Sequence, residues 1–151
     1  QCSSCPARRP LIFPLFFWIV SMRAKQLPIY KEAQRLVSQL HESTRKAPRD
    51  LRHTLVQKLL TEAVELMVDV DSANRNELDI RVEHIQLAQQ RVARLDVLLF
   101  VSMEQRCLSR KAAIKSMENV DNLGKQLHGW RRNSENQVIR SQKTPEPEPS
   151  T

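Results

Sequence analysis

Glycine is the scarcest informative residue in this chain, with only Gly124 and Gly129 among 151 residues. Tyrosine occurs once, and aromatic residues make up 5% of the sequence. Sheets closed by tight turns need glycine where φ is positive, so this composition disfavours a β protein. Phosphate loops, dinucleotide fingerprints and nucleophile elbows need glycine too and are excluded. Abundant Leu, Ala, Gln, Glu, Arg and Lys favour helices, and we predict an all-α protein.

Cysteine is also scarce, and Cys2, Cys5 and Cys107 are too few and too scattered for a disulfide framework. We therefore expect a protein of the reducing cytoplasm. Cys2 and Cys5 have zinc-ligand spacing, but no second Cys or His pair lies nearby to complete a site. The four histidines are isolated and form no metal-binding motif. We expect no cofactor, no metal and no enzymatic activity.

The two ends of the chain differ from the middle. Residues 11–20 (LIFPLFFWIV) are apolar, yet they are too few to span a bilayer and are broken by Pro14. We interpret residues 1–24 as an amino-terminal extension. Since Met22 precedes the first helical pattern, we expect residues 1–21 to come from an over-extended reading frame; a secretion signal is the alternative. Residues 135–151, ending in alternating Pro and Glu, are predicted to be an extended, disordered tail.

Residues 25–134 carry four amphipathic patterns of helical length. Helix one should begin near Pro28 and end before Pro48, with Asp50 as the N-cap of helix two. The next turn falls at residues 74–77, helix three runs from about Asp79 to Glu104, and Ser109 caps helix four. Short connections make neighbouring helices antiparallel, so we predict an up-down-up-down four-helix bundle.

Helix three is too apolar for a bundle that exists alone. Its buried stripe is predicted at Ile85, Ala88, Val92, Leu95, Leu99 and Met103, but residues 97–101 (VLLFV) are apolar on every side. An isolated bundle would leave part of this segment exposed to water. Burial against another copy resolves the problem, and we predict a homo-oligomer.

The bundle region is basic, with 20 Lys and Arg against 14 Asp and Glu in residues 22–134. Such an excess suits an anionic partner, and guanidinium groups match phosphate geometry. Few aromatic residues are available for base stacking, so we expect sequence-tolerant binding to backbone phosphates. The candidate nucleic-acid-binding residues are Arg45, Lys46, Arg49, Arg52, Arg81, Arg91, Arg94, Arg110, Lys111, Lys115, Arg131 and Arg132. The topology divides them between the two ends of the bundle, with those of helix three in between.

Four acidic residues of helix two, Glu62, Glu65, Asp69 and Asp71, are the nearest approach to a metal site. The first three follow spacings of three and four. We expect them to form a solvated stripe or to meet a basic neighbouring helix.

Several segments together resemble a known family. They are LPIYK at residue 27, PRDLRHTL leading into KLLTEAVEL, the turn at residues 73–75, LSRK at residue 108 and QLHGW at residue 126. Their order is similar to that in the small bundle proteins that include the accessory variability determinant of diversity-generating retroelements and the proteins encoded in 23S ribosomal RNA intervening sequences. The resemblance covers about residues 27–130. It implies a four-helix bundle assembled as a pentameric barrel that binds nucleic acid and associates with a reverse transcriptase in mutagenic retrohoming.

We therefore expect a non-enzymatic retroelement accessory protein that binds RNA or RNA/DNA hybrid, associates with a reverse transcriptase and does not enter a membrane. An intervening-sequence protein of unassigned role is the first alternative. A bundle that binds a metal or small ligand in its core is the second, although the sequence offers no inward-facing ligand pairs.

Overall fold

The computed structural model describes residues 27–143, which form four helices. The helices are α1 (Pro28–Ser43), α2 (Gln57–Arg75), α3 (Leu78–Glu104) and α4 (Arg110–Lys143). A short turn of helix at Arg49–Leu51 and a π-helical segment at Arg52–Val56 lead into α2. These residues contain no strand, so the predicted all-α class and the number of helices are confirmed. The predicted extension at residues 1–24 lies outside the described residues.

The four helices form a closed antiparallel ring. Each helix packs against the next one in the chain, and α4 returns to pack against α1. Across α1 and α4, Asn119 donates to Gln39 at 2.9 Å, while Trp130 lies beside Leu27 and Ile29 at the opposite end. Residue numbers therefore increase along α1 in the direction in which they decrease along α4, so these two helices are antiparallel. The up-down-up-down arrangement follows.

The core lies along the axis of this ring. Leucines dominate it because they combine helix propensity with a large apolar surface to bury. The fully buried large side chains are Leu36, Leu40, Leu59, Leu66, Ile85, Leu95, Leu99, Leu123, Leu127 and Val70. Gly124 of α4 faces Val92 of α3, and a Cβ atom at residue 124 would lie 3.4 Å from Val92 Cγ1, which is close to an ordinary van der Waals distance.

The helix starts agree with the sequence at two places and differ at one. Pro28 occupies the first turn of α1, where its missing N–H costs nothing. The Ser109 hydroxyl accepts a hydrogen bond from the amide of Ala112 at 3.2 Å and so caps α4. The prediction of Asp50 as an N-cap is wrong, because the helical turn starts at Arg49 and the capping position belongs to Pro48. Asp50 lies within the first turn, where its charge still suits the positive helix end.

Helix α4 is longer than the hydrophobic pattern indicates, with 34 residues. The expectation of an extended tail is wrong for residues 135–143, which continue the helix. Ser134 is buried and the Arg131 guanidinium pairs with Glu135 one turn later at 2.7 Å. Helix-favouring residues with local pairing extend a helix beyond its packed face. Residues 144–151 lie outside the described residues.

The outer surface of the protomer carries exposed apolar side chains. Val97 is 63% exposed and Phe100 is 55% exposed, both in the segment that sequence reasoning found too apolar for an isolated bundle. Ile114 near the start of α4 is also exposed. Within residues 27–143, no helix is both long enough and apolar enough to cross a bilayer.

Candidate nucleic-acid interface

Two connections meet at one end of the bundle, and most of the candidate cations gather there. The α1–α2 connection (residues 44–48) and the α3–α4 connection (residues 105–109) lie at this end, which we call the basic end. The antiparallel order requires this meeting, since α1 and α3 both run toward it. Candidate residues from the first connection therefore come close to those at the start of α4.

A cleft of about 550 Å³ lies between the two connections. Arg45 and Lys46 line it from one side and Arg106 from the other. Its remaining lining residues are Glu42, Ser43, Cys107, Ser109 and Ala112. Three cations face one carboxylate in this cleft, and Glu42 pairs with Arg45 at 3.2 Å. Both side chains of that pair are about two-thirds exposed, so we expect it to contribute little stability.

A small buried cluster joins the two connections beneath this cleft. Ala47 of the first connection packs with Cys107 of the second and with Val56 of the π-helical segment. Burial, and then the charge of Asp50, raise the pKa of the Cys107 thiol, so the thiol stays protonated. The cluster fixes the backbone directly beside Lys46 and Arg106.

Arg52 has a structural role at the same end. Its Nε donates to the carbonyl of Ala47 at 3.0 Å, and its Nη2 donates to the carbonyl of Arg45, also at 3.0 Å. These bonds tie the first connection to the start of the π-helical segment. Arg52 thus positions the chain that carries Arg45 and Lys46, and its own donors are partly occupied.

The start of α4 extends the basic surface. Arg110, Lys111 and Lys115 are exposed and line a shallow depression together with Ile114 and Glu118. Arg49 is exposed in the short helical turn after the first connection. Among residues 27–143, neither these four cations nor Lys46 forms an ion pair. The basic end therefore offers cationic groups that are not committed inside the protomer.

Arg91 is committed inside the protomer. Its Nη1 donates to Glu62 at 3.0 Å and its Nε donates to Asp69 at 3.2 Å, while Nη2 lies 3.6 Å from Glu65. Glu62 and Asp69 are 8% and 7% exposed. The hydrogen bond with Glu62, and then that with Asp69, raise the pKa of Arg91 despite its partial burial. The acidic residues of α2 thus meet a basic neighbouring helix, one of the two arrangements expected from the sequence.

The acidic residues of α2 were also the nearest approach to a metal site in the sequence. Within the part of the chain that the structure describes, no group of three or more potential ligands has the arrangement to hold a metal ion. Asp71, the fourth acidic residue, pairs with Arg75 at 2.9 Å.

The remaining candidates lie on α3 or at the opposite end. Arg81 donates to the carbonyls of Ala73 and Asn76 at 3.1 and 3.2 Å and so closes the C-terminus of α2. Arg131 is half-buried between Gln89 and Glu135. Arg94 and Arg132 are exposed, although Arg94 lies 3.7 Å from a Glu62 oxygen. Because Arg81 and Arg91 have internal partners, α3 does not present the continuous basic bridge that its sequence indicates.

Arg106 is the residue of the basic end that sequence reasoning missed. Its φ of 57° is the only positive value at a non-glycine residue among residues 27–143. The helical patterns end before this position, and the turn contains no glycine to mark it. The available signal was the missing glycine itself, because a helix that ends without glycine leaves another residue to take the left-handed position.

A family model described as bAvd-like matches residues 27–134, which span all of α1 to α3 and most of α4. No curated protein and no solved structure matches the chain.

Proposed function

Because the chain belongs to the bAvd-like family, we propose that it is a non-enzymatic accessory protein of a diversity-generating retroelement. In this proposal it is a cytoplasmic homo-oligomer that binds RNA or RNA/DNA hybrid beside a reverse transcriptase. The reverse transcriptase partner and the pentameric barrel are proposed from the family resemblance. The nucleic acid is proposed from the charge of the protomer surface.

One observation carries the nucleic-acid part of the proposal, namely the set of uncommitted cations at the basic end. Arg49 follows the first connection and Arg110 and Lys111 follow the second, yet all three lie at the same end of the bundle. Lys46, Lys115 and Arg106 complete the set. Ionic groups of one sign held together without internal partners raise the local potential and attract an anion.

The chemistry of this surface favours phosphate over base recognition. Arginine offers a flat fork of donors and lysine a point charge, and both suit phosphate oxygens. Among residues 27–143, no aromatic residue lines the cleft between the connections or the depression at the start of α4. Stacking of bases has no platform there, so we expect little dependence on sequence.

The test is a charge-removal variant with a matched control. K46A/R49A/R110A/K111A removes four exposed cations from the basic end, and K31A/R35A/K125A/K143A removes four exposed cations from other surfaces of the bundle. The first variant should bind labelled RNA more weakly, and the slope of log K against log salt should fall by about 0.7 to 0.9 for each phosphate that is no longer neutralised. The control should retain most of the wild-type affinity. Equal losses in the two variants would show that only net charge matters and would reject the basic end as the interface.

The reverse-transcriptase part is tested separately. Tagged full-length protein should co-purify with the reverse transcriptase encoded in the same retroelement after nuclease treatment. Loss of the complex on nuclease treatment would mean that RNA alone links the two proteins. Genes for 23S ribosomal RNA around the coding sequence, with no reverse transcriptase nearby, would instead support the intervening-sequence alternative.

A further inference from the structure

We propose that the cleft between the two connections holds a backbone phosphate of the bound strand, with Arg106 as its central ligand and Arg45 and Lys46 as its partners. This inference rests on the proposed function. It assigns a defined phosphate contact to Arg106, which was not among the cations selected from the sequence. It is carried by three features of the cleft: the backbone at Arg106, the charge balance and the buried cluster beneath.

The backbone at Arg106 adopts a conformation that arginine disfavours. The amide of Cys107 donates to the carbonyl of Ser102 at 2.8 Å, and the amide of Arg106 donates to that of Met103 at 3.0 Å. These two bonds form a Schellman motif at the end of α3, with Arg106 at the position that is left-handed. Glycine is the usual residue there, because a Cβ atom is unfavourable in the left-handed region. Folding alone therefore favours glycine at residue 106, and arginine needs a separate reason.

The charge balance of the cleft supplies that reason. Arg45, Lys46 and Arg106 line the cleft together with a single carboxylate, that of Glu42, and among the described residues only Arg45 pairs with it. Among residues 27–143, the Arg106 side chain has no hydrogen-bond or ion-pair partner. Like charges held close together repel one another, and the repulsion is relieved when an anion binds between them. The Glu42–Arg45 pair is exposed, so a phosphate can replace Glu42 as the partner of Arg45 at small cost.

The buried cluster keeps the two sides of the cleft in place. Ala47 adjoins Lys46 and packs against Cys107, which adjoins Arg106. Arg52 fixes the same connection through the carbonyls of Ala47 and Arg45. The cations therefore do not have to be assembled when the ligand arrives, and a preorganised site loses less entropy on binding.

The lining defines the ligand as a phosphate group of the strand. Its polar side chains are three cations, two hydroxyl groups and one carboxylate, and none of the described residues that line it is aromatic. Phosphodiester oxygens satisfy such a surface, whereas a nucleobase does not.

The test uses R106G and R106K in the full-length protein, with R35A as the control for loss of one exposed charge. R106G removes the cation and also relieves the backbone, so it should raise Tm by roughly 2–4 °C. It should weaken RNA binding roughly tenfold at low salt and lower the salt slope by about 0.7 to 0.9. R106K should keep most of the affinity, and R35A should leave it unchanged.

A rise in Tm together with a loss of affinity is the result that this site predicts, since a purely structural role for Arg106 would move both in the same direction. If wild type binds RNA and R106G binds equally well, the cleft is not a phosphate site, while the proposed function stands. If R35A weakens binding as much as R106G does, the effect belongs to net charge and the site is rejected. If wild type binds no nucleic acid, both the site and the proposed function fail.

Discussion

Arg91 shows how far the role of one cation depends on what the fold places opposite it. Its position on α3 makes it a candidate for binding phosphate, yet three carboxylates of α2 surround its guanidinium. Two of those carboxylates are almost fully buried. Their charges need a partner inside the protein, because an unpaired buried charge is costly. Arg91 therefore stabilises the α2–α3 interface.

R91A should destabilise the bundle by about 2–4 kcal/mol, because it leaves Glu62 and Asp69 without their cation. Urea unfolding followed by circular dichroism measures the loss. R94A is the control, since Arg94 is exposed and lies 3.7 Å from Glu62, and its cost should stay within about 0.5 kcal/mol. Equal costs for the two variants would contradict the network.

Cys107 should make stability depend on pH at the alkaline side. Burial raises the pKa of its thiol in the folded state, so the folded protein holds the proton more tightly than the unfolded chain. The stabilisation is complete below the unfolded pKa and is lost as pH rises through the folded pKa. The difference in Tm between wild type and C107A should therefore shrink from pH 8 to pH 10. A difference that stays constant over this range would contradict a buried, protonated thiol.

Residue by residue, the sequence predicts the buried leucines well and the roles of the cations poorly. Leucines at helical spacing face the core wherever the helix packs, so their position follows from periodicity alone. In the sequence, nothing distinguishes Arg52, Arg81 and Arg91 from the cations that have no internal partner. Their internal partners lie on other elements, and only the tertiary fold reveals them.

At the scale of elements, the segment that leads into α2 is the least regular part of the bundle. The chain passes from a short helical turn through a π-helical segment before α2 begins. π-helical segments are rare in proteins and are mostly single turns. Here Arg52 holds the preceding connection through two carbonyl groups.

R52A should lower the free energy of unfolding by about 1–2 kcal/mol, because the carbonyls of Arg45 and Ala47 lose a charged donor. R49A is the matched control, since Arg49 is exposed nearby and should change stability by less than about 0.5 kcal/mol. Thermal unfolding of both variants measures the contrast. Unchanged stability in R52A would contradict the structural role of Arg52 in holding the first connection.

The elements also show where sequence periodicity stops being informative. The starts of α1 and α4 follow from Pro28 and Ser109, whose chemistry acts locally. The end of α4 does not, because residues 135–143 have too few apolar positions to reveal a helix. Local pairing such as that of Arg131 with Glu135 extends the helix without a buried stripe.

At the scale of the whole molecule, the exposed apolar surface of α3 and α4 is the basis for expecting an oligomer. F100E should convert the oligomer to smaller species without loss of helicity, because it places a charge in an apolar contact between copies. I139E is the control, since Ile139 is exposed to a similar degree near the end of α4, at 59%. Sedimentation and circular dichroism give mass and helicity. An unchanged mass for F100E would place the interface elsewhere.

One titration decides whether the intact protein binds nucleic acid. Labelled RNA, DNA and RNA/DNA hybrid are titrated with the full-length protein at two salt concentrations, and the mass of the protein is determined at the same protein concentrations. We predict binding by a discrete oligomer that weakens steeply with salt and depends little on base sequence. No binding of any of the three at low salt would contradict the account, leaving a four-helix bundle whose basic end serves some other partner.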